Sequence, residues 1–575
     1  MSDWGVLGSL AGLLILLMHG RIKPAVLFTS WATGYLLLNV VNTDELLSSY
    51  TNSALATLVL LMLISLALER SHFLDQLSEQ LLKGGERPAL LRLMGTSALL
   101  SAFLNNTAVV AAFLSAISKQ QKIAPSRLLI PLSYASILGG ITTLVGTSTN
   151  LVVSSFAVNA DLPALNMFQF SLVGIPVALI CLIVLFFSSN HLPAHSRETR
   201  DTGQAYFLAA EVLADSPLIG KSIEDNQLRN LDGLFLFELE RDNHLISPVR
   251  PDEILKAGDL LIFTGEVDKV QTLQRFSGLQ LFGTKANDLL ASNLVEVVIS
   301  NDSELTNRTL QNVDFRTMFS AGVVGIRRGG KQLKGQLGRI PLRVGDSLLL
   351  AVSSDFMQHR NLDRNFHVLS ESLQRPRLSA IQSSLVLAGF LSVLMAATFN
   401  ILPLFNGLTL LLGVLLAGKI LSIGELRRRF PFELIMVIGS ALTIAKGLEN
   451  SGAAALISGF MQHTFNGYGV IGAFVGIYLI TLLLTESVTN NAAAALAFPI
   501  ALSTANALNA DPLPFIIAVA YGASACFLIP FGYQTHLMVY SSGRYHLSDY
   551  IKTGLPISIV YSACVIILVP LVFPF

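Results

Sequence analysis

The sequence predicts a polytopic α-helical membrane protein: an inverted repeat carrying two re-entrant hairpins, split by an inserted cytoplasmic α/β tandem. Three observations predict it. Of the 575 residues 52% are hydrophobic and 13% charged, whereas a soluble domain is about a quarter charged. Apolar stretches long enough, or nearly so, to span a bilayer fall in two similar sets. One polar interruption, SAFLNNTAVVAAF from Ser101, has a counterpart in TESVTNNAAAALAF from Thr485. A formal net charge of zero and the absence of a long basic tract give no sign of nucleic-acid binding. The cysteines Cys181, Cys526 and Cys564 lie in apolar stretches without metal-ligand spacing and read as small core residues.

The first membrane repeat covers 1–195. The N-terminus lacks a basic region and a cleavage site, so its first apolar stretch is read as a retained span. Spans are expected near 4–19, 24–42, 53–70, 128–155 and 168–189, with a polar-tipped hairpin at 88–118. The second repeat, 376–575, has spans near 379–399, 404–421, 431–448, 513–540 and 555–575, and a hairpin at 466–506. A short amphipathic stretch, 71–86 or 450–464, precedes each hairpin. Charge sets the orientation. If both hairpins enter and leave on one side, Arg21, Lys23, Arg70, Lys83, Arg87, Lys119, Lys122 and Arg127 share a side with Arg427 to Arg429, Arg544 and Lys552. The opposite loops then carry no Lys or Arg, which is the positive-inside pattern. An odd number of spans per half makes the halves oppositely oriented.

Between the repeats, roughly 200–370, short β-rich runs (LFLFELE, DLLIFTG, AGVVGIRR, DSLLLAVS) alternate with polar turns. LIGKSI at Leu218 recurs as LTNRTL at Leu305, and Gly258-Asp259 as Gly345-Asp346, both 87 residues on. Arg229 and Arg241 match Arg316 and Arg328 at the same offset. A constant register indicates two copies of one module, 206–280 and 290–366. The charge argument places both in the cytoplasm.

The polar motifs carry the chemistry. Asn105-Asn106-Thr107 stands opposite Thr489-Asn490-Asn491, with a hydroxyl one helical turn upstream of each, Ser101 and Thr485. A second patch follows each tip: Gly146-Thr147-Ser148-Thr149-Asn150 after the first, and Gly532-Tyr533-Gln534-Thr535-His536 after the second. Each patch interrupts a long apolar segment with glycine where a helix would break. Broken helices and hairpin tips free backbone groups inside the membrane. Carbonyl, hydroxyl and amide oxygens suit Na⁺, and helix N-termini with amide N–H groups suit an anion. Two tips and two breaks would form two cation sites flanking one anion site. A single Asn-Asn-Thr in a membrane helix is ordinarily packing glue; four patches matched in pairs point to a transport site. Na⁺ is expected at Ser101, Asn105, Asn106, Gly146 and Asn150, and at Thr485, Thr489, Asn490 and Gly532. Substrate is expected at Asn105, Asn106, Thr107, Ser148 and Thr149, and at Thr489, Asn490, Asn491, Gln534, Thr535 and His536. His536 either contacts substrate or caps the broken helix. Glu486, aligned with Ala102, is a candidate proton carrier, and Glu433 and Lys446 read as interfacial anchors.

At these tips and breaks the sequence resembles the divalent anion:sodium symporter family of the ion transporter superfamily. That family carries an SNT-type triplet at each tip and a GTxxN-type break in each half, here NNT, TNN and GTSTN. IPLSYASILGG from Ile130 and PFGYQTHLMVY from Pro530 strengthen the likeness, while Asn105, Thr489, Asn491 and His536 depart from the usual residues. The insert looks like paired TrkA C-terminal (RCK-C) modules, a combination similar to transporters assigned to sulfate. The resemblance implies an elevator mechanism and a homodimer in the inner (plasma) membrane. It also implies a nucleotide or other small ligand at the insert, which lacks a glycine-rich dinucleotide loop. The expected function is Na⁺-coupled symport of a divalent oxyanion, sulfate first, with no enzymatic activity. A C4-dicarboxylate symporter is the alternative. A gated cation channel is disfavoured by the lack of a TVGYG-like filter, and a Na⁺/H⁺ antiporter by breaks without carboxylates.

Overall fold

In the computed structural model the chain forms two units, one of Met1–Ala194, Pro376–Val539 and His546–Phe575, the other of His195–Arg375 with Tyr540–Tyr545. The described residues are 2–19, 22–70, 77, 81–119, 123–193, 378–453, 456, 459, 469–530, 532–543 and 545–575, and 208–368 apart from short stretches around 229–233, 242–248, 266–275, 283–293, 301–302, 311–314, 329–338 and 353–360. Most of the expected amphipathic stretches 71–86 and 450–464, the start of the 466–506 hairpin, and Arg229 lie outside them.

The first unit holds two sets of nine α-helices in the same order among the described residues. The first set is α1 (Asp3–His19), α2 (Pro24–Leu37), α3 (Thr43–Tyr50), α4 (Ser53–Glu69), α5 (Glu86–Ser101), α6 (Asn106–Lys119), α7 (Pro125–Gly140), α8 (Ser148–Asn159) and α9 (Ser171–Ser188). Elements α10 and α11 belong to the other unit. The second set is α12 (Ala380–Thr398), α13 (Leu404–Ala417), α14 (Ile423–Arg428), α15 (Phe432–Asn450), α16 (Gly469–Ser487), α17 (Asn490–Ala507), α18 (Pro512–Ser524), α19 (Gln534–Ser542) and α20 (Leu547–Val572). Five described helical stretches are long and apolar enough to cross a membrane: 43–69, 171–188, 380–398, 469–487 and 547–572. This makes the chain a multi-pass membrane protein.

The sets correspond at an offset of 380 residues near their starts. Asn39 and Lys419 both take φ near +50° just after α2 and α13. Short helices then begin at capping residues, Asn42 for α3 and Ser422 for α14, each side chain accepting from the N–H of a glutamate three residues on, Glu45 or Glu425. The hydropathy reading passed over both helices. Helix α2 packs on α15, and α4 on α13. At the far ends of α4 and α15, matched residues tie one set to the other. Arg70 donates to Glu425 (3.2 Å) and to the carbonyl of Ile420 (3.2 Å). Asn450 donates to Glu45 (3.1 Å) and to the carbonyl of Val40 (3.2 Å).

Two segments written above as single spans are broken. The chain leaves helical geometry after Gly140 and resumes at Ser148; it does so again after Ser524 and resumes at Gln534. Each hairpin is two helices joined by a short tip, 102–105 between α5 and α6 and 488–489 between α16 and α17.

The second unit contains two five-stranded antiparallel sheets. The first, β1 (Leu208–Val212), β2 (Leu234–Arg241), β3 (His244–Ile246), β4 (Leu260–Gly265) and β5 (Leu279–Phe282), runs β3-β2-β4-β1-β5. The second comprises β6 (Leu294–Ile299), β7 (Ala321–Arg328), β8 (Lys331–Gln332), β9 (Ser347–Val352) and β10 (Phe366–Val368), with short helices α10 (Phe315–Phe319) and α11 (Leu362–Asn365). Its order, β8-β7-β9-β6-β10, is the same topology. Even the bulges coincide at the 87-residue offset, at Leu236/Glu238 and Val323/Gly325. In each copy an arginine at the end of the central hairpin strand clamps a buried aspartate with two N–H groups: Arg241 on Asp259 (2.8 Å each) and Arg328 on Asp346 (2.7 Å each). The aspartates also accept from the N–H groups of Lys256 and Arg343. Bidentate charge-assisted bonds of this kind fix geometry as well as adding energy. Gly258 and Gly345, at φ near +83° and +82°, make the turns that present them.

Candidate functional site

Close packing builds the first half-site. Helix α5 lies on α7 so tightly that a Cβ at Gly139 would overlap the Ala98 backbone, and one at Gly140 would lie 2.5 Å from Asn106 Oδ1. Ser101 and Asn106 face each other across the tip. One end of the Asn106 amide lies 2.5 Å from Ser101 Oγ, 3.2 Å from the Ser136 carbonyl and 3.3 Å from the Gly146 carbonyl. The other end lies 2.7 Å from the Tyr533 hydroxyl, which is 3.3 Å from Thr147 Oγ1. With its NH₂ toward the carbonyls and its oxygen accepting from Tyr533, both ends of the amide are satisfied. The break is pinned to the tip by Thr143, whose hydroxyl donates to the carbonyl of Ala102 and accepts from the N–H of Gly146. Asn150 donates to the carbonyl of Thr143 at 2.8 Å.

The second half-site repeats the plan with other groups. Thr485 Oγ1 is 3.1 Å from Asn490 Oδ1 and donates to the carbonyl of Ala523 at 2.5 Å. A Cβ at Gly532 would sit 2.5 Å from Cys526 Sγ and 3.1 Å from the Thr485 carbonyl. Here a carboxylate pins break to tip: Glu486 accepts from the N–H groups of Phe527 (3.0 Å), Leu528 (3.0 Å) and Ile529 (3.1 Å). Each of those amides, freed where the helix breaks, would otherwise lack a partner among the described contacts.

The two halves meet through the starts of four helices. Ser148 at the head of α8 is 3.3 Å from Asn491 at the head of α17. Thr107 at the head of α6 is 3.4 Å from Gln534 at the head of α19. Both of these contacts cross between the two sets of helices, and neither involves Lys or Arg. Thr147 and Thr489 stand at the N-caps of α8 and α17, yet neither side chain makes a capping bond. Threonine is a competent N-cap, and helices α3, α4, α12, α14 and α18 are all capped by side chains. The free first-turn N–H groups at α8 and α17 therefore remain available to a ligand.

Burial divides the sequence-predicted residues into two layers. Asn105, Thr107, Ser148, Thr489, Asn491 and Gln534 are at least partly open, while Ser101, Asn106, Thr147, Thr149, Asn150, Thr485 and Asn490 are buried behind them. Asn105 caps α6 by accepting from the Thr107 N–H at 3.0 Å. Thr535 and His536 do not join the open layer. His536 is fully buried, with Nδ1 2.7 Å from Ser133 Oγ and Nε2 2.8 Å from the carbonyl of Cys526, while Thr535 shares Ser133 at 2.9 Å. Both ring nitrogens of His536 thus face groups of the protein around the broken helix. Tyr134 and Tyr550 join them by donating to the carbonyls of Phe527 (2.6 Å) and His536 (3.0 Å).

Sequence reasoning gave Tyr533 no role within its patch, and it missed Thr143 and the capping role of Glu486. Tyr533 was findable, because it follows Gly532 as Thr147 follows Gly146. Beside the two breaks, three buried oxygens lack a partner among the described residues: Thr149 Oγ1 and Asn150 Oδ1 at the first, and Ser524 Oγ at the second. Buried lone pairs left unmatched are costly, and a hard cation is the ligand that oxygen clusters accept.

The chain matches the citrate transporter family (CitMHS) over residues 13–522. It is 30% identical to an uncharacterized transporter of Synechocystis across 94% of this chain and 92% of that protein. It is 27% identical to an uncharacterized transporter of Escherichia coli over 99% of both chains. Sodium/sulfate cotransporter 1 of Chlamydomonas reinhardtii is 27% identical over 62% of this chain and 42% of that protein. On the family match and the helical, multi-pass architecture together, the chain belongs to the citrate transporter family, a family of transporters.

Proposed function

We propose that the chain is a sodium-coupled symporter importing a divalent oxyanion, sulfate first, with the anion held at the convergent starts of α6, α8, α17 and α19. The observation that carries this reading is the set of four helix heads joined by Ser148–Asn491 and Thr107–Gln534. Each helix N-terminus is equivalent to roughly +0.5 charge, so four of them meet a divalent anion without a Lys or Arg. Asn105, Thr107, Ser148, Thr489, Asn491 and Gln534 supply neutral hydrogen-bonding groups in the open layer, with Thr149, Thr535 and His536 supporting them from behind. Na⁺, as co-transported substrate, takes the buried oxygens: Ser101, Asn106, Gly146 and Asn150 with Asn105 at the first tip, and Thr485, Asn490 and Gly532 with Thr489 at the second. Two cations offset the anion's charge, so neither substrate is favoured alone. The curated relative named as a sodium/sulfate cotransporter supports the same pairing of ions.

In this reading the hairpins are re-entrant and the halves inverted, and a transport body carrying both tips slides against a scaffold that pairs as a homodimer in the plasma membrane. The insert, as paired RCK-C-like modules in the cytoplasm, regulates it by binding a nucleotide or another small ligand. The family description favours one second reading, a carboxylate symporter of the same architecture.

The test is uptake of labelled sulfate into proteoliposomes with and without an inward Na⁺ gradient, with succinate and citrate as competitors. Sulfate accumulation driven by Na⁺ is expected. Robust carboxylate uptake with no sulfate accumulation would replace the first reading by the second.

A further inference from the structure

The two ends of the Asn106 amide sit in unlike surroundings, and that asymmetry has a mechanical use. At one end Ser101 Oγ and the carbonyls of Ser136 and Gly146 converge within 2.5–3.3 Å. Only a donor or a cation satisfies that end, because carbonyl oxygens donate nothing. At the other end stands a single hydroxyl, that of Tyr533, which can either donate or accept. Tyr533 belongs to the second repeat, and its only other hydroxyl contact among those described is Thr147, at 3.3 Å. Thr147 stands at the head of α8 and caps nothing there.

We infer that Tyr533 is a positioning residue that relays cation occupancy at Asn106 to the anion site through Thr147. The inference rests on the proposed Na⁺-coupled anion symport and deepens it. Without a cation, the Asn106 NH₂ occupies the oxygen cluster and its carbonyl accepts from Tyr533. Tyr533 then has only its lone pairs to offer Thr147, so the Thr147 hydroxyl donates to it and its hydrogen is consumed. With Na⁺ in the cluster, the amide turns its oxygen to the cation and its NH₂ to Tyr533. The Tyr533 hydroxyl, now an acceptor from Asn106, donates its own hydrogen to Thr147 Oγ1. The Thr147 hydrogen is thereby released to the head of α8, where the anion lies. Nothing but one amide and two hydroxyls reorients. Binding of Na⁺ thus adds one hydrogen-bond donor to the anion site, and by linkage the anion strengthens Na⁺ binding by the same factor.

The relay predicts a number that a simple strut would not change: the factor by which saturating anion tightens Na⁺ binding. It is read from the Na⁺ dependence of thermal stability of the purified full-length protein. NaCl is titrated against choline chloride, with no added anion, with sulfate, and in parallel with succinate. One hydrogen bond to a charged group corresponds to roughly tenfold, so Tyr533→Phe is expected to cut the factor about tenfold. Thr147→Val, which breaks the far end of the relay, should give the same loss, and the double variant no further loss. A Tyr533→Phe protein that melts lower but keeps the wild-type factor would overturn the relay, as would full additivity of the two substitutions. If Tyr533→Phe does not fold, an unchanged factor in Thr147→Val overturns it alone. Wild-type protein showing no Na⁺ linkage to either anion would remove both the relay and the symport reading, whereas an intact wild-type linkage with unaffected variants removes only the relay.

Discussion

The two tips solve one problem with different chemistry. Each must hold a broken helix against a hairpin and give the freed backbone groups partners. At the first tip residue 102 is alanine, so the lock uses its carbonyl: Thr143, from the break, donates to Ala102. At the second tip the aligned residue is Glu486, and its side chain gathers three N–H groups from the break. The amides differ in the same way. Asn106 is gripped at both ends, by the Ser101 cluster and by Tyr533, whereas the one side-chain bond described for Asn490 is to Thr485. Matched architecture therefore does not mean matched energetics, and the first tip's asparagine is the more constrained.

Five substitutions at four positions probe that difference, beginning with the largest effect on uptake. Asn106→Ala and Asn490→Ala should each abolish Na⁺-driven uptake, measured in proteoliposomes. They should part company in thermal stability, Asn106→Ala costing about 2 kcal/mol for its stranded buried partners and Asn490→Ala about half that. Equal losses of stability would erase the distinction between the tips. Glu486→Ala strands three N–H groups, each worth roughly 1–3 kcal/mol, so it should lower the melting temperature more than either asparagine change; Glu486→Gln should recover part of the loss. Smallest is Thr485→Ser, which keeps the bonds to Asn490 and the Ala523 carbonyl and removes one methyl, about 0.8 kcal/mol. Uptake should persist in this variant, and its loss would show that shape rather than the hydroxyl matters at position 485.

Much of this was legible in the sequence because membrane burial makes polar residues conspicuous. The helix interruptions after Gly140 and Ser524 fall inside stretches where glycine and hydroxyl residues break an apolar run. The short helices α3 and α14 escaped a hydropathy reading because each is under two and a half turns, although Asn42…Glu45 and Ser422…Glu425 carry capping signals. Spacing could not sort the two layers of the site. Ser148 and Thr149 are adjacent in sequence, but helical geometry opens the first and buries the second. Nor could it foresee that Tyr533 reaches the opposite set of helices, since contacts between the sets depend on how they are stacked rather than on any local pattern.

The connection between α7 and α8 has seven residues, and that between α18 and α19 has nine. Two surplus residues mean surplus backbone donors, and Glu486 is the group that absorbs them. Length and charge at this position are physically coupled: the N–H groups of Phe527, Leu528 and Ile529 need an acceptor, and Glu486 needs those donors. At the first tip the shorter connection is held by a hydroxyl instead, that of Thr143 on the carbonyl of Ala102.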